Sequence, residues 1–100
     1  MIIVAGTIQF DSSKRATLDE AFDKMRGETL KEKGCHEYQC YVSRTEPGTA
    51  FFFEKWEDDA ALGAHMTTPH MAEFGKAFGA IGVKGVDIKK YSGATEGPLH

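Results

Sequence analysis

Apolar and polar residues alternate from the start of the chain. Ile2, Val4, Gly6, Ile8 and Phe10 fall on one side of a two-residue repeat, and Ile3, Ala5, Thr7 and Gln9 on the other, which predicts a strand over residues 2–10. The repeat then lengthens. Leu18, Ala21, Phe22, Met25 and Thr29 follow the three-and-four spacing of a single apolar helix stripe. Asp11, Ser12 and Ser13 offer N-caps for this helix, while Thr17-Leu18-Asp19-Glu20 has capping-box spacing, so two starts are open. Gly34 stands where a left-handed C-terminal cap is wanted. Alternation returns over residues 35–45, with His36, Tyr38, Cys40 and Val42 on one face and Cys35, Glu37, Gln39, Tyr41 and Ser43 on the other. Glu46-Pro47-Gly48 is a turn, because Pro fixes φ and Gly accepts a positive one, so residues 49–57 return as the second arm of a hairpin.

Asp58 or Asp59 can cap the next, short helix, which carries Leu62, His65 and Met66. Thr68-Pro69 restarts the chain as a further helix, a cap residue followed by Pro at the first helical position, with Met71, Phe74, Ala77 and Phe78 on its apolar face. Gly79, Gly82 and Gly85 interrupt the pattern before a last strand over residues 83–91, anchored by Val86 and Ile88. Residues 92–100 read as a polar tail on a single domain of residues 1–91. The order β-α-β-β-α-β, with its second helix broken, predicts an α+β, ferredoxin-like fold: a four-stranded antiparallel sheet with helices on one face.

The uncovered face should turn polar, and it does not do so cleanly. Phe51 and Phe53 oppose Phe52 and Trp56, and Ile2, Ile3 and Val4 repeat the pattern on the first strand. Burying a large apolar side chain contributes roughly 1.5–3 kcal/mol. A second copy packed sheet to sheet is therefore expected, as a homodimer.

Bulk properties remove several functions. The 100 residues are 41% apolar and 27% charged, as in ordinary soluble domains. A net charge of -3 without a basic patch argues against nucleic acid as a partner, and no apolar run is long enough for a membrane span. The opening MIIVAGTIQF lacks a basic leader region and a cleavage pattern, and reads as a strand. Cys35 and Cys40, on one strand, are expected on opposite faces and roughly 17 Å apart, too far to bridge. Two free thiols with no third metal ligand beside them fit a cytoplasmic protein.

Candidate chemistry concentrates in residues 51–70, FFFEKWEDDAALGAHMTTPH, where the densest aromatic cluster is followed by two histidines. This stretch, with LKEKGCHEY at residues 30–38, resembles the antibiotic biosynthesis monooxygenase domain, nearest its quinol monooxygenase branch. The motifs shared are Gly34-Cys35, Glu54-Lys55-Trp56, His65 and Thr68-Pro69-His70, and the likeness covers residues 1–91. It implies a dimeric α+β barrel. It leaves the reaction open among cofactor-independent oxygenation, haem degradation, and isomerisation of a phosphorylated diketone in quorum-signal breakdown.

The oxygenase reading needs no metal or other cofactor. A deprotonated hydroquinone can itself pass an electron to O₂, provided the protein holds a flat apolar ring, takes its proton and excludes water. Trp56, Phe52, Tyr38 and Phe74 suit the walls of such a pocket. His65 is the candidate base, since an unperturbed imidazole titrates at about pH 6.5. The Tyr38 hydroxyl can bond a ring oxygen. Glu54, on the face of Trp56, either orients the histidine or substrate, or is an inward carboxylate paired to lysine or backbone. His70 either sits at a helix start or reaches the pocket. Haem is disfavoured within the resemblance: the first strand has no asparagine, His65 stands where that branch has tryptophan, and Phe74 lies near the axial-histidine region. A phosphorylated substrate would want Lys55 or Arg44 at the pocket mouth. A dimeric module that binds an aromatic metabolite without converting it is the non-enzymatic alternative. The expected partners are a small aromatic substrate, O₂ and a second copy of the chain.

Overall fold

The computed structural model describes all 100 residues. Strands β1 (Ile2–Gln9), β2 (Cys35–Val42), β3 (Thr49–Trp56) and β4 (Gly85–Tyr91) form one antiparallel sheet in the order β2-β3-β1-β4. Helices α1 (Arg15–Thr29), α2 (Asp59–His65) and α3 (Pro69–Ile81) connect them, giving the ferredoxin-like α+β arrangement that the periodicities predict. The core lies between sheet and helices. From the sheet it takes Ile2, Val4, Ile8, Tyr38, Phe52 and Trp56; Leu18, Phe22 and Met25 come from α1, and Phe74 and Ile81 from α3.

The broken second helix follows from its caps. Asp58 accepts from Ala61 N–H at 2.8 Å and starts α2; Thr68 accepts from Met71 N–H at 3.2 Å and starts α3, with Pro69 next. Between them Thr67 and Thr68 return their hydroxyls to Ala64 O and His65 O, closing the first helix. Asp11 accepts from Ser13 N–H and caps a short 3₁₀ turn over Ser12–Lys14, so α1 continues from that turn after Lys14 without a side-chain cap of its own. The capping-box start at Thr17 is not used, because that residue is already inside the helix.

Three expectations are corrected. First, β2 ends at Val42, because Ser43 Oγ accepts from Glu46 N–H at 3.0 Å and bends the chain early. Second, α1 ends at Thr29 with Leu30 as its C-cap, so Gly34 takes its φ of 85° in the turn beyond the helix rather than as the helix cap. Third, the register shifts between Cys35 and Glu37, leaving His36 as the extra residue of a bulge. Cys35 then pairs with Trp56, as Tyr38 pairs with Glu54 and Cys40 with Phe52. Cys35 and Cys40 therefore share the helix-facing side, and a bulge is what alternation cannot foresee. Both thiols are free, and burial pushes Cys35 up to about 11 and Cys40 up to about 12, so neither is a ready thiolate at neutral pH.

Gly6 lets β4 approach β1. A Cβ there would stand 2.1 Å from Asp87 O and 2.5 Å from Ile88 Cα, both backbone, so no rotamer change relieves the clash. Gly6→Ala is expected to destabilise the protein by about 1–3 kcal/mol, read as a lower urea midpoint. An unchanged midpoint would mean that β4 is not held at this register.

Candidate functional site

The site is built where three segments meet. After α1, the chain turns through residues 30–34, with Glu32 N–H on Thr29 O at 3.0 Å and Cys35 N–H on Glu32 O at 3.3 Å. Gly34 takes φ 85°, and a Cβ there would lie 2.7 Å from Ala61 Cβ, so only glycine lets this turn sit against α2. Gly34 O then accepts from Glu57 N–H at 2.8 Å, tying the turn to the end of β3. The result carries Glu32 beneath the junction of α2 and α3, where the two histidines emerge.

One carboxylate oxygen of Glu32 lies 2.8 Å from Nδ1 of His65 and 2.7 Å from Nε2 of His70. A carboxylate only accepts, so both rings donate to it: His65 through Nδ1–H and His70 through Nε2–H. His65 is 1% exposed. Its ring stacks at a tilt on Trp56, with centroids 4.7 Å apart, and meets the Tyr38 ring edge-on at 5.5 Å. Neither Nε2 of His65 nor the Tyr38 hydroxyl bonds to the protein, and no polar side-chain atom without a partner is sealed from solvent. Both atoms are thus available to a bound molecule. Burial, chiefly, raises the Tyr38 hydroxyl far above its ordinary value, so it acts as a neutral donor.

The expected pocket residues are brought together, but largely in contact with one another. Phe22 stacks on Tyr38 with centroids 5.5 Å apart and meets Phe52 edge-on at 5.6 Å, and Phe52 in turn meets Phe74 at 6.1 Å. One open groove, of about 290 Å³, lies beside this cluster between α1 and α3. Met25 and Phe74 are among its apolar lining, and of the two histidines His70 reaches it. Glu20, Glu28 and Glu73 lie along it with Lys24, which is paired to Glu73 at 2.6 Å.

Glu54 faces inward and accepts the indole N–H of Trp56 at 2.9 Å, so its partner is Trp56 rather than a histidine, lysine or backbone group. Burial raises its carboxyl to about 7, against the Trp56 hydrogen bond that lowers it, while the charge of Glu32 raises it further. Tyr38 is its cross-strand partner on β2. The unfolded value is 4.5, so between about pH 4.5 and about 7 the native state holds more protons than the unfolded chain. Stability contributed by this group is therefore present at low pH and lost as pH rises through that window. Glu54→Gln should remove this loss, gaining on the order of 3 kcal/mol at pH 8 relative to its effect at pH 5, in urea titrations. Equal effects at both pH values would contradict a buried, proton-holding carboxyl.

Glu32 is the residue sequence reasoning did not single out. It stands in the charged run Lys31-Glu32-Lys33, which reads as a solvated turn, and nothing local marks its inward path.

Residues 1–77 match the family model described as antibiotic biosynthesis monooxygenase. The chain is 32% identical over 90 residues to the uncharacterized protein sll1783 of Synechocystis, an alignment spanning 90% of this chain and 61% of that protein. It is 36% identical over 72 residues to the probable quinol monooxygenase YgiN of Escherichia coli K12, spanning 64% of this chain and 68% of that protein. Among solved structures, a conserved protein from Methanosarcina mazei superposes with a TM-score of 0.83 at 27% identity, covering 90% of this chain and 89% of that one. Rv0793 of Mycobacterium tuberculosis gives 0.84 at 24% identity, covering 97% and 98%, and supports the fold alone.

Proposed function

The chain belongs to the antibiotic biosynthesis monooxygenase family, and we propose that it is a cofactor-independent oxygenase of a hydroquinone or related phenol. The observation that carries this reading is the Glu32–His65 pair. Glu32 fixes the ring with its proton on Nδ1, which leaves the Nε2 lone pair without a protein partner inside an aromatic enclosure. The resemblance to YgiN, named a probable quinol monooxygenase, supports the substrate class.

In this mechanism the ring lies in the space between the helices and the sheet, against Phe74 and His70, with Phe52 and Trp56 behind. Because the aromatic cluster is closed, binding displaces Phe74 from its contact with Phe52. His65 Nε2 takes the phenolic proton, and Tyr38 donates to the second ring oxygen. The phenolate passes one electron to O₂, and the radical pair joins at a ring carbon bearing hydrogen. His65 returns the proton to the peroxide, and water then leaves. One oxygen atom is kept as a new carbonyl, the other departs in water, and the hydroquinone becomes a hydroxyquinone. Glu32 is a positioning residue, acting through His65. Glu54 supports Trp56 and touches no reacting atom.

The phosphorylated-diketone reading has less support. The groove's lysine is already paired, and three glutamates give its lining a negative balance unsuited to phosphate. No helix is long and apolar enough to cross a membrane. Free cysteines with high thiol values suit the reducing cytoplasm.

A second copy is expected on the open sheet face. Register places Ile3, Ala5, Phe51, Phe53, Tyr41 and Tyr91 there together, with Phe51 40% and Tyr41 55% exposed. Light scattering at micromolar concentration should give twice the chain mass, and Phe51→Glu should halve it. A monomer mass for the wild type would defeat the dimer.

The test of the activity is oxygen uptake with chemically reduced quinones and phenols, in EDTA and without added flavin, against a no-enzyme control. Uptake proportional to enzyme supports the oxygenase. Saturable binding without uptake would replace it with a ligand-binding role.

A further inference from the structure

Glu32, His65 and His70 offer three ligand atoms that lie within 4.8 Å of one another: a carboxylate oxygen, Nδ1 and Nε2. They come from three separate segments, the turn after α1, the last residue of α2 and the first turn of α3. Glu32 has no lysine or arginine partner; its ion-pair partners are the two imidazoles. Two imidazole nitrogens and one carboxylate form the donor set of open zinc sites, which complete their coordination with water or substrate.

The dimensions suit such an ion. With bonds of about 2.0–2.2 Å and tetrahedral angles, ligand atoms stand roughly 3.3–3.6 Å apart. The present contacts of 2.8 and 2.7 Å would open by somewhat more than half an ångström each. His70 can supply much of that movement, because its side chain is 18% exposed at the start of α3 and faces the groove, which is also an entry path. We propose that Glu32, His65 and His70 form a binding site for a divalent transition-metal cation of the zinc class, entered from the groove between α1 and α3.

The cation takes the place of the two ring protons that now face the carboxylate. A neutral imidazole carrying metal on Nδ1 keeps its single proton on Nε2. Metal binding therefore switches the tautomer of His65 and removes the lone pair that would accept a substrate proton. The ion is an inhibitor of the oxygenation proposed above. That consequence rests on the oxygenase reading; the binding does not.

The experiment is calorimetric titration of the chelator-stripped, full-length protein with zinc chloride, with cobalt(II) absorption reporting the geometry. One ion per chain is expected, with intense tetrahedral-type cobalt bands. Glu32→Gln and His70→Ala should each weaken binding at least tenfold, with circular dichroism confirming the fold. His36→Ala, which removes the exposed His36–Glu57 pair at the bulge, should leave binding unchanged. Absence of stoichiometric binding overturns the proposal. So does binding that survives both site variants and disappears with His36→Ala. Oxygen uptake is read in the same samples, where zinc should lower the rate at least tenfold and EDTA restore it. No uptake in metal-free protein would remove the oxygenase reading and leave the binding result standing.

Discussion

Replacing His65 with alanine lowers kcat for quinol-dependent oxygen uptake by about 10²-fold or more, the range in which a positioned general base acts. The expectation follows from three facts about one ring: Nδ1 is held by Glu32, Nε2 has no protein partner, and the ring lies at a tilt on Trp56 and meets Tyr38 edge-on. KM should change less than kcat, because the ring binds through apolar contacts that alanine does not remove. Glu32→Gln should fall less than His65→Ala, since its amide oxygen still accepts the Nδ1–H. Loss of rate in His65→Ala could also come from a collapsed cavity, given its burial. Exogenous imidazole separates the two, for it restores rate only when the missing element is a base. Full turnover in folded His65→Ala would take His65 out of the mechanism.

The parts of this fold that were legible are those fixed by local backbone chemistry. Asp58 and Thr68-Pro69 mark their boundaries because a side-chain acceptor and a fixed φ each act within a few residues, whereas Gly34 lies beyond the Leu30 cap of α1 and serves the turn instead. Alternation on β1 and the stripe on α1 name most of the core, since burial on one face is all they require. The side of Cys35 was not legible, because a single unpaired residue at His36 reverses every facing before it. Nor was Glu32. It reaches His65 across 33 positions and His70 across 38, by a turn whose approach to α2 depends on space at Gly34. The motif stretch thus supplied both histidines, while the group that orients them sits in an unmarked charged run. Periodicity puts Phe22, Phe52, Trp56 and Phe74 on the apolar faces of their elements, yet spacing says nothing of whether rings enclose a cavity or fill it. Here Phe22, Tyr38, Phe52 and Phe74 fill it, and the open volume moves sideways to the helix–helix groove.

Trp56 is where fold and site depend on the same side chain. It is 0% exposed, its ring supports His65, and its indole N–H is the hydrogen-bond donor to the buried Glu54 carboxyl. Trp56→Ala should cost about 3–5 kcal/mol, the range for emptying a large aromatic site in a core that relaxes only in part. Trp56→Phe keeps most of the apolar volume and deletes the N–H. Its cost should be smaller, about 1–3 kcal/mol, and should depend on pH. The indole bond favours the charged form of Glu54, so without it the carboxyl rises further above its present value of about 7. At pH 5 the carboxyl is protonated in either protein, and the lost bond is to a neutral acceptor. At pH 8 the wild type holds a charged Glu54 with its donor, whereas the variant must bury that charge unaided or keep it protonated at a cost that grows with pH. Urea midpoints should therefore show a larger penalty for Trp56→Phe at pH 8 than at pH 5. In the Glu54→Gln background that difference should vanish, because the titrating group is gone. A penalty for Trp56→Phe that is the same at both pH values would show that the indole and the carboxyl are not coupled. The value of about 7 would then be set by burial and the Glu32 charge, with no contribution from the indole.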